Sequence, residues 1–179
     1  VLSDIIINMN RMDYPKDKLD IKVLVEEKDD ITLNEAKRLG LIGGKPEVML
    51  GNMSAEEYQE YTKIFEILIV PDADIKTKPR ACNYGLYRAR GEYVCIYDAE
   101  DEPDIDQLKK AIVAFSKVDD SYICLQGHLN FYNPKENLLA RWFSLEYSFW
   151  FDYWLQGLDF VDAPLPLGGT SNHFKTKTL

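Results

Sequence analysis

The residues best placed to do chemistry are the carboxylates of Tyr97-Asp98-Ala99-Glu100-Asp101-Glu102-Pro103. They follow a short apolar run, Tyr93-Val94-Cys95-Ile96, and precede a helix-like run beginning at Asp104. That order puts them at the carboxyl end of a strand, the edge where open α/β sheets bind ligands. Asp98 and Glu100 are one residue apart and so lie on the same side of an extended chain. Two like charges held that close are relieved by a hard divalent cation, and Mg2+ is commonly held by one or two carboxylates together with substrate phosphates. The same acids would also suit the first turn of the following helix, where negative charge meets the positive end of the helix dipole. Local sequence leaves both readings open.

Two further acidic loops bear on the choice. Glu26-Glu27 ends one β-rich run and Asp72-Ala73-Asp74 follows another, with Lys78 and Arg80 shortly after the second. Three acidic strand ends on one sheet edge, with cations alongside, make a diphosphate site. The competing reading is a solvated, salt-bridged sheet edge.

Helices and strands that alternate have to position these groups. A helix is expected over 1–12, with apolar residues on one face, and a strand over 19–26. Thr32 reads as the N-cap of a helix over 33–39, with Glu35 completing a capping box, and Ser54 with Glu57 repeats that spacing before a helix over 55–62. Gly40, Gly43, Gly44 and Pro46 mark the loop between them. A strand over 65–70, a helix over 78–89 with Pro79 in its first turn, a strand over 93–97 and a helix over 104–117 with Pro103 near N1 follow. A strand over 122–132 and a long helix from 135 to about 157 complete the regular part. This alternation predicts an α/β layer fold with a mixed, mostly parallel sheet flanked by helices, as one domain over 1–179. A helix before the first strand suggests that a leading strand is missing and that the chain is a piece of something larger.

Composition removes other classes. A net charge of -9 argues against a nucleic-acid surface, which needs a basic patch, though a cation would still let a nucleotide bind. Cys82, Cys95 and Cys124 are odd in number and far apart, and read as reduced core thiols. No Cys/His spacing suggests zinc. No run of 18 apolar residues is present to span a membrane, and no export leader is expected. The aromatic-rich segment 141–155, apolar nearly all round, reads first as packing against the sheet and against segments outside this piece, and second as an acceptor or membrane surface. Glu146 reads as exposed, and His173 as a solvated loop residue.

Lys78-Pro79-Arg80-Ala81-Cys82-Asn83-Tyr84-Gly85-Leu86, followed by Asp98-Ala99-Glu100-Asp101 and later by Leu167-Gly168-Gly169-Thr170-Ser171-Asn172-His173-Phe174, resembles the family 2 glycosyltransferases. It is most similar to the processive, membrane-associated branch of cellulose and hyaluronan synthases. The resemblance runs from Tyr14 onward and implies a GT-A fold and a nucleotide-sugar donor, usually UDP-linked. It implies donor binding by Glu26, Glu27, Lys78, Asp98 and Glu100, with Mg2+ or Mn2+ at Asp98 and Glu100 helped by Asp101. Gly169, Thr170 and Ser171 would shape the acceptor side. It further implies an inverting transfer to a growing glycan or polysaccharide at the cytoplasmic face of a bacterial inner membrane, reached through flanking segments, this piece itself being soluble. Glu100 departs from the aspartate usual at that position. The general base, in a Thr-Glu-Asp segment, and a Gln-x-x-Arg-Trp segment are expected beyond Leu179, so no catalytic base is expected within the chain and the isolated piece is expected not to turn over. The alternative is a non-catalytic nucleotide-binding or interaction domain on the same fold.

Overall fold

The computed structural model describes residues 2–43, 45–50 and 53–179. Val1 and Gly44, read as part of a helix and a loop, lie outside them. The order of elements is α1 (Leu2–Arg11), β1 (Ile21–Glu26), α2 (Asp30–Arg38), α3 (Ala55–Thr62), β2 (Phe65–Val70), α4 (Lys78–Leu86), β3 (Tyr93–Ile96), α5 (Gln107–Phe115), β4 (Cys124–Gln126), α6 (Leu138–Phe149), a π-helical turn (Trp150–Trp154), α7 (Leu155–Phe160) and β5 (Asn172–Lys175).

β1 and β2 pair in parallel from Ile21↔Phe65 to Glu26↔Val70, so both strands end together. The second sheet has the order β3-β5-β4, and β5 is antiparallel to both neighbours. The parallel pairing is therefore confined to β1–β2. The three acidic strand ends were expected on one sheet edge, and the structure corrects this. Two belong to the first sheet and the third to the second.

Ile6, Met9, Ala36, Leu39, Tyr58, Tyr61 and Phe65 form the main core. α1 presents Leu2, Ile6 and Met9 to it at helical spacing. Tyr61 Oη donates to the Ile6 carbonyl at 2.7 Å and Tyr58 Oη to the Leu39 carbonyl at 3.2 Å, so both phenols bury their rings without leaving a donor unpaired. α3 has the expected capping box: Ser54 Oγ accepts from Glu57 N–H, and the Glu57 carboxylate accepts from Ser54 N–H. Such a cap contributes about 1 kcal/mol.

Local expectations fail where backbone groups find other partners. α2 is capped by Asp29, whose carboxylate accepts from Thr32 N at 3.1 Å and from Thr32 Oγ1 at 2.6 Å, so Thr32 is inside the helix. Glu35 instead accepts from Ser3 Oγ and Arg38. α5 starts at Gln107, four residues after Pro103, because the Ile105 carbonyl accepts from Asp13 N–H at 2.7 Å and ties α5 to the end of α1. β4 covers three residues of the strand expected over 122–132. Beyond it the chain turns to α6: Asn130 bonds Ser144 and Ser148, and the Phe131 ring packs on Tyr147. β5 lies where no strand was expected.

Most of the aromatic helix is not covered by the described residues of this chain, so the part of the first reading that packs it on the sheet holds only at Phe151 and Leu155. Trp142 is 64% and Phe149 58% exposed, and only Phe151 and Leu155 of its length are buried. Glu146 is exposed as expected.

Candidate functional site

The first turn of α4 joins the two sheets' acidic ends. Thr77 precedes it in extended conformation, and Pro79 occupies the first turn, where its missing N–H costs nothing. α4 lies close against β1 because Gly85 has no side chain: a Cβ there would sit 2.9 Å from Leu24 Cδ2. From this turn Lys78 Nζ reaches Asp98 Oδ1, past the end of β3, and the Gly169 carbonyl at 2.5 Å. Two residues on, Arg80 donates through Nη2 to the Pro71 carbonyl after β2, while its Nη1 lies 3.6 Å from Glu26 Oε2 at the end of β1. Glu27 accepts from Asp72 N–H at 2.9 Å. Asp72 also pairs with Lys28 and Lys76, whose hydrogen bonds lower its carboxyl to about 2 despite some opposing desolvation.

Glu26, Glu27, Lys78 and Asp98 are thus gathered around one helix start, with Arg80 as the link between the first two and the last two. Glu26 Oε2 and Arg80 Nη1 are both buried with no hydrogen-bond partner among the described residues. Their 3.6 Å separation leaves an acceptor and a donor free for a polar ligand.

The carboxylates after β3 divide their work. Asp101 folds back: its Oδ2 accepts from Asp98 N–H at 2.7 Å and from Thr170 Oγ1. It orders the loop and fixes Thr170 beside the Ile96 carbonyl. Glu100 is exposed. Among the described residues no three His, Cys, Asp or Glu side chains form a closed metal cage. The hard oxygen donors Asp98 and Glu100 fit instead the open mode, in which one or two carboxylates and substrate phosphates hold Mg2+ or Mn2+.

The glycine loop spreads its three named residues differently. Gly169 is exposed at Lys78, Thr170 is tied to Asp101, and Ser171 is buried with φ +55. Ser171 N–H donates to Ile96 O at 2.7 Å and its carbonyl accepts from Gly127 N–H at 2.8 Å, so Ser171 joins β3 to β4. His173 is 5% exposed in β5 and not a solvated loop residue. Its Nδ1 donates to Leu125 O at 3.3 Å, and burial lowers its pKa. Cys95 and Cys124 are free thiols whose burial raises their pKa to about 12 and about 11, which keeps them protonated and unreactive.

Sequence reasoning missed two further polar groups near the loop. Gln126 Nε2 and Asn172 Oδ1 are buried with no hydrogen-bond partner among the described residues. The signal available was an amide closing each of two short apolar or small-residue runs, Ile123-Cys124-Leu125-Gln126 and Gly168-Gly169-Thr170-Ser171-Asn172.

With this geometry in place, the relatives are informative. Residues 54–171 match the family described as Glycosyl transferase family 2. That match runs from the cap of α3 to the residue before β5, and includes β2, α4 and β3 but not β1. The chain belongs to the glycosyl transferase family 2. It is 24% identical over 144 residues to the "Probable glycosyltransferase YdaM" of Bacillus subtilis (strain 168), covering 80% of this chain and 30% of that protein. Its fold is similar to the mannosyltransferase PcManGT from Pyrobaculum calidifontis, solved in complex with GDP-Man and Mn2+: TM-score 0.51, 22% identity, covering 75% of this chain and 32% of that one. The architecture is therefore GT-A-like, α/β with a parallel sheet flanked by helices. The chain spans about a third of the length of both relatives.

Proposed function

We propose that this chain is the nucleotide-sugar-binding part of a metal-dependent, inverting glycosyltransferase that transfers a hexose from a UDP-sugar to a glycan or polysaccharide. The observation that carries the reading is the first turn of α4. Lys78 grips Asp98 while Arg80 lies against Glu26, so one rigid turn sets the spacing between two ends of an extended, diphosphate-bearing ligand. Glu26 and Glu27 face the nucleoside end. Asp98 and Glu100 face the diphosphate, and Lys78 exchanges its contacts with Asp98 and Gly169 for phosphate oxygens. Asp101 holds the loop rather than the ion.

Asp98 and Glu100 would hold Mg2+ or Mn2+, which when bound would supply charge neutralisation for the departing diphosphate. The acceptor hydroxyl attacks the anomeric carbon, the bond from that carbon to the diphosphate oxygen breaks, and the hydroxyl proton passes to a base supplied beyond these residues. Gly169, Thr170 and Ser171 form the acceptor-side wall, with Thr170 placed by Asp101. The setting is membrane-associated glycan synthesis of the processive kind in a bacterium, with membrane contact made by flanking segments. Among the described residues no helix is long and apolar enough to cross a membrane.

Calorimetry of this chain with UDP and Mn2+ tests the site. Asp98→Ala is expected to lower UDP affinity in Mn2+ at least tenfold and to abolish transfer by the full-length enzyme. Unchanged binding and turnover in that variant would overturn the metal assignment. Metal-dependent UDP binding without turnover in the full-length enzyme would favour a non-catalytic nucleotide-binding role.

A further inference from the structure

β4 and β5 are antiparallel, and Gln126 pairs directly with Asn172. Directly opposed residues point to the same face with Cβ atoms about 5 Å apart. Both amides converge on Gly168. Asn172 Nδ2 donates to the Gly168 carbonyl at 2.5 Å, and a Cβ on Gly168 would lie 3.0 Å from Gln126 Nε2. What remains is a buried donor, Gln126 Nε2, and a buried acceptor, Asn172 Oδ1, with no hydrogen-bond partner among the described residues. Asn172 is only 5% exposed. Buried polar atoms of native proteins are paired in the great majority of cases, so this pair calls for a partner. A group that accepts one hydrogen bond and donates another satisfies both, and a hydroxyl does so with a single oxygen.

Position decides which hydroxyl. The next residue, Gly169, has its carbonyl on Lys78 Nζ, which also holds Asp98. The amide pair is therefore one residue along the loop from the centre assigned to the diphosphate. Gly168 lies against both amides, and a turn of two glycines, Gly168 and Gly169, can swing away at low steric cost.

We infer that Gln126 and Asn172 form a sugar-hydroxyl subsite under the Gly168–Gly169 turn: the hydroxyl oxygen accepts from Gln126 Nε2 and its proton goes to Asn172 Oδ1. This inference rests on the donor site described under Proposed function. Diphosphate competes with Gly169 for Lys78, which frees the turn, and the sugar then meets the amides. The hydroxyl belongs to the donor sugar or to the acceptor.

Calorimetry in Mn2+ separates these sources. UDP, UDP-glucose, GDP and GDP-mannose are titrated into this chain, and methyl glucoside and methyl mannoside into its nucleotide complex. Gln126→Leu and Gln126→Met remove the donor without adding charge. The Gln126 variants are expected to lower nucleotide-sugar affinity about tenfold while leaving UDP and GDP unchanged. Loss of methyl glycoside binding alone assigns the hydroxyl to the acceptor and equally supports the subsite. If the sugars add no affinity over nucleotide, or the folded variants bind all probes as wild type does, the subsite is refuted and the amides serve structure or a water. Failure of the wild-type chain to bind any nucleotide overturns the donor site and the subsite with it. Should the Gln126 variants not fold, a deoxyglucose series of the UDP-sugar on the wild-type chain decides: one deoxy position loses about tenfold if the subsite exists, and none does if it does not.

Discussion

The corner built by α1, α2, α3 and β2 and the rod built by α6, the π-helical turn and α7 are both rich in large apolar side chains. Ile6, Leu39 and Tyr58 in the corner are 1% exposed, whereas Trp142 and Phe149 on the rod are 64% and 58% exposed. Composition does not separate the two regions. The corner has partners on several sides: Tyr61 from α3 bonds Ile6 of α1, and Phe65 of β2 packs edge-on to Tyr61. The rod's side-chain contacts with the rest of the described chain include Asn130 on Ser144 and Ser148, Phe131 on Phe143 and Tyr147, His128 on Phe151 and the His128–Asp152 contact at 2.8 Å. An apolar helix is buried by the faces available to it, not by its own sequence.

The largest effect that could break this comparison is in the corner. Ile6→Ala removes three carbons from a fully enclosed site and is expected to cost about 2–5 kcal/mol, as buried large-to-small changes do. Urea unfolding of the isolated chain measures it. A cost below about 1 kcal/mol would mean that α1 is not firmly packed and that the corner is no more a core than the rod.

The second effect concerns the polar interior of the second sheet. Burial lowers the His173 pKa below the ordinary 6.5, with the Leu125 carbonyl contact opposing it. The unfolded chain therefore binds a proton at higher pH than the folded chain. The contribution of His173 is fully present above about pH 6.5 and is lost as pH falls toward its folded pKa, by up to about 1.4 kcal/mol per pH unit. Asp20 adds its own loss only lower down, between its usual value and about 2, because hydrogen bonds from Arg90 and Lys22 outweigh the opposing desolvation. His173→Gln is expected to flatten the slope of stability between pH 6.5 and 5 in urea titrations. An unchanged slope would show His173 to be solvated.

These contrasts also explain what could be read from the sequence. β2 has the limits expected from Phe65-Glu66-Ile67-Leu68-Ile69-Val70, and Ser54 with Glu57 caps α3 as their spacing requires. Both signals are local and no distant group competes. β5 was invisible because its buried residues are polar, Asn172 on one face and His173 and Lys175 on the other, so it carries no apolar alternation. The strand expected over 122–132 was too long because the backbone beyond Gln126 turns to α6, a tertiary choice that periodicity does not encode. Glu26, Glu27, Lys78 and Asp98 could be brought together in advance because strand ends and a helix start are local features. The Thr170–Asp101 hydrogen bond and the Gln126–Asn172 pairing could not, since each depends on register between segments far apart in the chain.

The smallest effect is on the rod and sharpens the comparison from the other side. Trp142→Ser removes one of the largest side chains of the protein, and a buried Trp lost in this way would cost about 3–5 kcal/mol. At 64% exposure the side chain has little contact to lose, and substitutions away from packed sites change stability by about 0.5 kcal/mol or less. The urea midpoint of Trp142→Ser should therefore match wild type, with an unchanged dependence on denaturant. A shift above about 2 kcal/mol that does not vary with protein concentration would show that the rod folds onto its own chain in solution. A shift that grows with concentration would show that copies of the chain cover each other there, since association that favours the folded state makes stability concentration-dependent. In either case the rod would join the corner as core, and the difference between the two regions would be one of partner supply alone.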